Sequence, residues 1–144
     1  MKKNQKGVAI VEFALILPFL LVLTFITTEF GRAIWEYNSL TKSVRDSARY
    51  LSLQTPGNAA AIAKARNLAV YGNLSGTGTP LARGLSTSNV PDPTWQTAGT
   101  NPVINTVTIS ITGYTFNSML ATAFGLTFGD IGFADIRATM RSYL

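Results

Sequence analysis

Few residues in this chain could do chemistry, and the two types most often used for it are missing. Among its 144 residues there is neither a His nor a Cys. That excludes a thiol nucleophile, a His-based triad, a Cys-ligated metal and a His or Cys haem ligand. One nucleophile pattern is present: Ser39-Leu40-Thr41-Lys42 fits S-x-x-K. Enzymes built on that pattern also need S-D-N and K-T-G elements, which the chain lacks. The glycine-rich Ser75-Gly76-Thr77-Gly78-Thr79 is not followed by Gly-Lys-Ser/Thr and so makes no phosphate loop. The sequence therefore offers no catalytic residue, no metal ligand set and no cofactor site, and reads as a non-enzyme.

The residue that demands a reason is Glu12. It is the only charge in residues 8–28, VAIVEFALILPFLLVLTFITT. An acid at the centre of a spanning helix costs about 2.5–3.5 kcal/mol, less near an interface. Five residues before it, Gly7 closes a leader carrying Lys2, Lys3 and Lys6. Cleavage between Gly7 and Val8 would free an α-amine at Val8, with a pKa near about 7.7–8.0. One helical turn on, the Glu12 carboxylate could pair with such an amine on a neighbouring helix and set the axial register between subunits. The simpler alternative is a Glu that snorkels to the interface.

The elements that would position these groups follow from the hydropathy pattern. Residues 8–28, as a helix, span roughly 31 Å, the thickness of a bilayer core. A cleavable secretory signal would have a shorter apolar run and an A-x-A site after it, and neither is found here. Pro18 removes a backbone donor inside the run and predicts a kink, either a point of flexibility or a tolerated bend. Residues 29–53 continue the helix with a change of character. Phe30, Ala33, Ile34, Tyr37, Leu40, Val44, Ala48 and Leu51 recur at spacings of three and four, an amphipathic stripe expected to pack on a domain or on partner helices. Glu29 with Arg32 and Asp46 with Arg49 form i,i+3 pairs. Arg45, Asp46 and Arg49 make a candidate docking face, with a solvated charged face as the alternative.

Residues 54–144 read as a small α+β domain. Pro56-Gly57 end the long helix, and Asn58 caps a second, Ala-rich helix with Ile62, Ala65, Leu68 and Ala69 on one side, stopped at Gly72-Asn73. Residues 72–102 are rich in loop formers, with 72–84 a mobile connection and 85–90 a possible short strand. From residue 103 the period becomes two: Val103, Val107, Ile109 and Ile111 alternate with Thr and Ser over 103–112. Residues 133–141 alternate again and should pair antiparallel with that strand. Residues 116–128 are apolar and partly helical or looped. Trp95, Tyr114 and the Phe residues are expected in the core.

The charge balance names no polyanionic partner. Of 12 Lys plus Arg, the three leader lysines account for most of the +5 net charge, leaving 9 basic against 7 acidic residues thereafter. No basic stripe interleaved with aromatics is present, so nucleic acid is not an expected partner. Charged residues make up only 13% and apolar ones 47%, which agrees with a membrane segment.

The Lys6-Gly7 junction with VAIVEF after it resembles the processing site of type IV prepilins. The longer stretch, GVAIVEFALILPFLLVL followed by EFGRAIWEYNSLTKSVRDSARYLS and a closing ADIRATMRSYL, resembles TadE-like pseudopilins of the tight-adherence (Tad/Flp) pilus system. Many type IV pilins begin their mature chain with Phe, whereas this one would begin with Val8, which leaves N-methylation open. The resemblance implies a minor pilin or pseudopilin with a lollipop architecture: long helix, second short helix, small antiparallel sheet. It further implies a prepilin peptidase, other pilin subunits, an inner-membrane assembly platform and membrane lipid as partners. The N-terminus would be cytoplasmic and the C-terminal domain periplasmic or extracellular. The competing reading is an unprocessed single-pass membrane protein with an extracytoplasmic binding domain.

Overall fold

The structure, a computed structural model, describes residues 5–118, 122–123, 126–127 and 129–143. Its first element is one helix, α1 (Gln5–Leu51), 47 residues long with Pro18 inside it. At about 1.5 Å per residue that is about 70 Å of helix. None of residues 7–28 is buried. Along this stretch the hydroxyls of Thr24, Thr27 and Thr28 each donate to a carbonyl four residues back, at 2.8 Å, so these polar side chains are satisfied within the helix.

Burial begins at Glu29, and the buried face differs from the apolar stripe. Ala33, Leu40, Val44, Ala48 and Leu51 are buried as expected, but Phe30, Ile34 and Tyr37 are exposed. Their places on the covered face are taken by Glu29, Glu36, Ser43 and Ser47. The physical reason is that polar side chains can enter a core where partners meet them. The Ser43 hydroxyl lies 2.9 Å from both Leu40 O and Ala69 O, and the Ser47 hydroxyl lies 2.8 Å from Ser43 O. Small residues here let a second helix lie close.

That helix, α2 (Ala59–Tyr71), starts as its sequence predicts: Asn58 Oδ1 accepts from the amides of Ala60 and Ala61. It ends at Gly72, whose φ of 71° closes the last turn with its amide on Leu68 O. The buried side is Ala61, Ala65, Ala69 and Val70, with Ile62 and Leu68 only half-buried, so the helix is turned slightly from the face expected. These buried alanines belong to a helix that packs against α1.

Residues 85–90 do not form a strand. Thr87–Asn89 is a single 3-10 turn in which Ser86 and Asn89 bond each other's backbone and side chains. Side chains that compete for their own backbone disfavour an extended ladder. Leu85 and Val90, on either side, are buried.

Among the described residues seven strands follow: β1 (Thr94–Ala98), β2 (Ile104–Ile111), β3 (Thr115–Phe116), β4 (Thr122–Ala123), β5 (Leu126–Thr127), β6 (Ile131–Gly132) and β7 (Ile136–Ser142). The main sheet has the order β1-β2-β7, all antiparallel, with β3-β6 and β4-β5 as separate pairs. The pairing of β2 with β7 meets the sequence expectation, in the register Val107↔Met140 and Ile111↔Ile136. β1 was hidden in the loop-rich tract: it follows Pro91 and Pro93, and prolines mark edge strands as readily as loops. On β2, Val107, Ile109 and Ile111 point inward, whereas Val103 precedes the strand and is 60% exposed. In residues 116–128 the described part is strand and loop with no helix, and 119–121, 124–125 and 128 lie outside the described residues.

The sheet and α2 enclose a core of Leu40, Val44, Leu51, Val70, Val90 and the inward residues of β2. Each such side chain contributes about 1.5–3 kcal/mol when fully buried. Trp95 packs at the margin of this core, and Tyr114 and Phe116 are buried within the domain. At its far end the sheet is tied to the helix by the Tyr143 amide donating to Ser52 O. The molecule is thus an α+β domain built around the second half of α1, with the first half bare.

Candidate functional site

Two regions hold the side chains of interest. The first is the bare end of α1. Gly7, Val8, Val11, Glu12 and Leu15 line one open strip, because positions three and four apart fall on the same helix face. Val8 is 67% exposed, and residues 7–15 are all exposed. Gly7 has open space around it, so its place in the helix sets no steric demand for glycine. The strip is a surface that presents the Gly7–Val8 bond and the Glu12 carboxylate together.

The second region is the seam where α1 enters the domain. Glu29, Arg32 and Glu36 project from successive turns toward the loops around β3 and β6. Arg32 Nη2 donates to Glu29 Oε2 at 3.1 Å and to Asn117 O at 2.7 Å, and its guanidinium stacks 4.3 Å from the Phe116 ring centroid. Glu36, only 5% exposed, accepts a short hydrogen bond from the Tyr114 hydroxyl, which also lies 3.0 Å from Arg83 O. Burial, and then the hydrogen bond to Glu36, push the Tyr114 hydroxyl up from its ordinary value of 10.0. Phe133 packs edge-on to Tyr37 at 5.3 Å and closes the seam from the domain side. The i,i+3 reading found the Glu29–Arg32 pair. It missed Glu36, because a lone acid on a helix carries no local sign of the tyrosine 78 positions away that covers it.

The proposed docking residues Arg45, Asp46 and Arg49 are all exposed on α1 beyond the seam. Among the described residues the ion pairs are Arg32–Glu29, Arg66–Asp92 and Arg137–Asp135, so Asp46 and Arg49 do not form the i,i+3 pair their spacing allows. A cleft of about 690 Å³ opens between α2 and the 3-10 turn. Its one cation, Arg66, is already held by Val90 O and Asp92. No group of three or more metal-ligating side chains occurs among the described residues.

Among the described residues one helix is long and apolar enough to cross a membrane, and it carries an α+β domain on one end and a bare, acid-bearing strip at the other. Residues 7–49 match the family model described as TadE-like protein, which supports a TadE-like protein of the Tad pilus system. The matched span begins at Gly7, ends within α1 and leaves the whole sheet outside it. Among curated proteins and among solved structures, nothing matches the chain.

Proposed function

We propose that this chain is a minor pilin or pseudopilin for assembly of a tight-adherence, type IV-like pilus, cut after Gly7 by a prepilin peptidase. The observation that carries the reading is the order of features at the start of α1. A lysine-rich leader ends at Gly7, where the family match begins, and Glu12 follows on an exposed apolar helix. In this reading the helix anchors the protein in the inner membrane with its N-terminus in the cytoplasm and its domain outside. After cleavage, Val8 offers its amine and Glu12 its carboxylate to other pilin subunits, and low dielectric in the helix bundle strengthens the pairing. Arg45, Asp46 and Arg49 would be the face offered to the assembly platform. Pro18 would give the helix a point at which to bend as it leaves the bilayer.

The test is the N-terminal sequence of the protein produced beside its cognate peptidase. The wild type should begin at Val8, and Gly7→Arg should remain a longer precursor. A wild-type chain that begins at Met1 under those conditions would overturn the pilin reading in favour of an unprocessed single-pass protein with an outer binding domain.

A further inference from the structure

The charges of α1 are distributed in a way that repositions the membrane. Across residues 13–41 the helix carries Glu29, Arg32 and Glu36, and all three turn into the domain: Glu29 and Glu36 are buried, and Arg32 is held by Glu29 and Asn117 O. The next exposed charges are Glu12 on one side and Lys42 on the other. The outward surface between them is uncharged for about 43 Å, close to the full thickness of a bilayer with its headgroup layers, about 40–45 Å. Within this stretch Phe30, Ile34 and Trp35 are 58%, 59% and 67% exposed. Phe30 and Trp35 are about 140° apart around the helix. A single partner helix would cover one stripe, whereas lipid covers every side the domain leaves open.

We propose that the outer membrane boundary lies near Trp35 rather than at residue 28, and that lipid covers the exposed Phe30, Ile34 and Trp35. A hydrocarbon layer of about 20 residues then starts after Glu12, which leaves that acid at the cytoplasmic interface. Trp35 and Tyr37 fall in the outer interface, where such side chains concentrate. Glu29 enters the layer's edge already paired and covered by protein, as an acid at that depth requires. The apolar cleft of about 310 Å³ bounded by Ile26, Phe30, Phe116 and Ile131 opens at the level of Glu29, so the foot of the domain around Gly129 and Ile131 reaches the outer margin of that layer. The proposal rests on the membrane-anchored reading and not on cleavage after Gly7.

A chain without Cys permits single-cysteine variants with no background. Leu21→Cys, Phe30→Cys, Ile34→Cys and Lys42→Cys, each in the full chain in phosphatidylcholine vesicles, are treated with a charged maleimide. The expected result is loss of labelling at 21, 30 and 34, with labelling retained at 42. Labelling at 30 and 34 as fast as at 42, with 21 protected, would overturn the boundary but leave the anchor in place. Labelling at 21 as well would remove the anchor itself. Protection at 34 that disappears when the protein is diluted with lipid would assign the surface to a second copy and overturn the lipid reading. In Trp95→Phe, which leaves Trp35 as the sole tryptophan, emission should be quenched by lipids brominated near the headgroup; unchanged emission would refute lipid cover.

Discussion

Tyr114→Phe removes one oxygen from the seam and leaves its packing in place. In the wild type the Tyr114 hydroxyl donates to Glu36, which is 5% exposed and cannot turn to water for a substitute. Hydrogen bonds to charged groups contribute about 1.5–3 kcal/mol, and an acceptor left buried without its donor costs its desolvation as well. The expected loss is therefore about 3 kcal/mol, at the upper end of that range. For a domain of this size that lowers the unfolding temperature by about 10 °C. The assay is thermal unfolding of the full chain in detergent, followed by near-ultraviolet circular dichroism, which reports packing of the domain and not the bare half of α1. Glu36→Leu with Tyr114→Phe should recover much of the loss, because removing both partners leaves nothing buried unsatisfied. A single variant within about 0.5 kcal/mol of wild type, or strict additivity in the cycle, would refute the account.

Three further outcomes are expected. If Glu12 pairs with the Val8 amine of a neighbouring pilin as proposed, Glu12→Gln should still insert and still be cut after Gly7 yet lose co-purification with pilin partners, since removing one member of a desolvated pair costs about 3–5 kcal/mol; equal recovery with wild type would mean that Glu12 merely sits at the interface. The raised Tyr114 hydroxyl makes folding stability fall at alkaline pH: unfolded tyrosine ionises at 10.0 while the folded hydroxyl holds its proton, so this contribution is complete below pH 10.0 and lost above it. Denaturant unfolding of wild type beside Tyr114→Phe should show the two curves converging above that pH, and parallel curves would refute it. Asn58→Ala leaves the amides of Ala60 and Ala61 without their cap and should cost about 1 kcal/mol of stability by denaturant unfolding, with no effect on membrane insertion.

What the sequence determined by itself was everything governed by local pattern. The uninterrupted apolar run and the continuous three-and-four spacing required α1, and Asn58 with Gly72 bounded α2 because caps are chosen by the chain's own orphan amides and carbonyls. Alternation over β2 and β7 marked two strands that pair antiparallel. The Gly7–Glu12 spacing also belongs to this level, because five residues on one helix need no other part of the molecule to place them. Only the tertiary structure decided which face of α1 is covered. Hydrophobic periodicity pointed to Phe30, Ile34 and Tyr37, while the domain buried Glu29, Glu36 and Ser43, whose cost depends on partners remote in sequence: Arg32 with Asn117, Tyr114 and Ala69. The short edge strand β1 was likewise illegible, since five residues among prolines acquire strand character only when β2 offers them a ladder. Periodicity says which residues avoid water, but a long helix can satisfy that against its own domain or against other apolar surroundings, and long-range contacts choose between them.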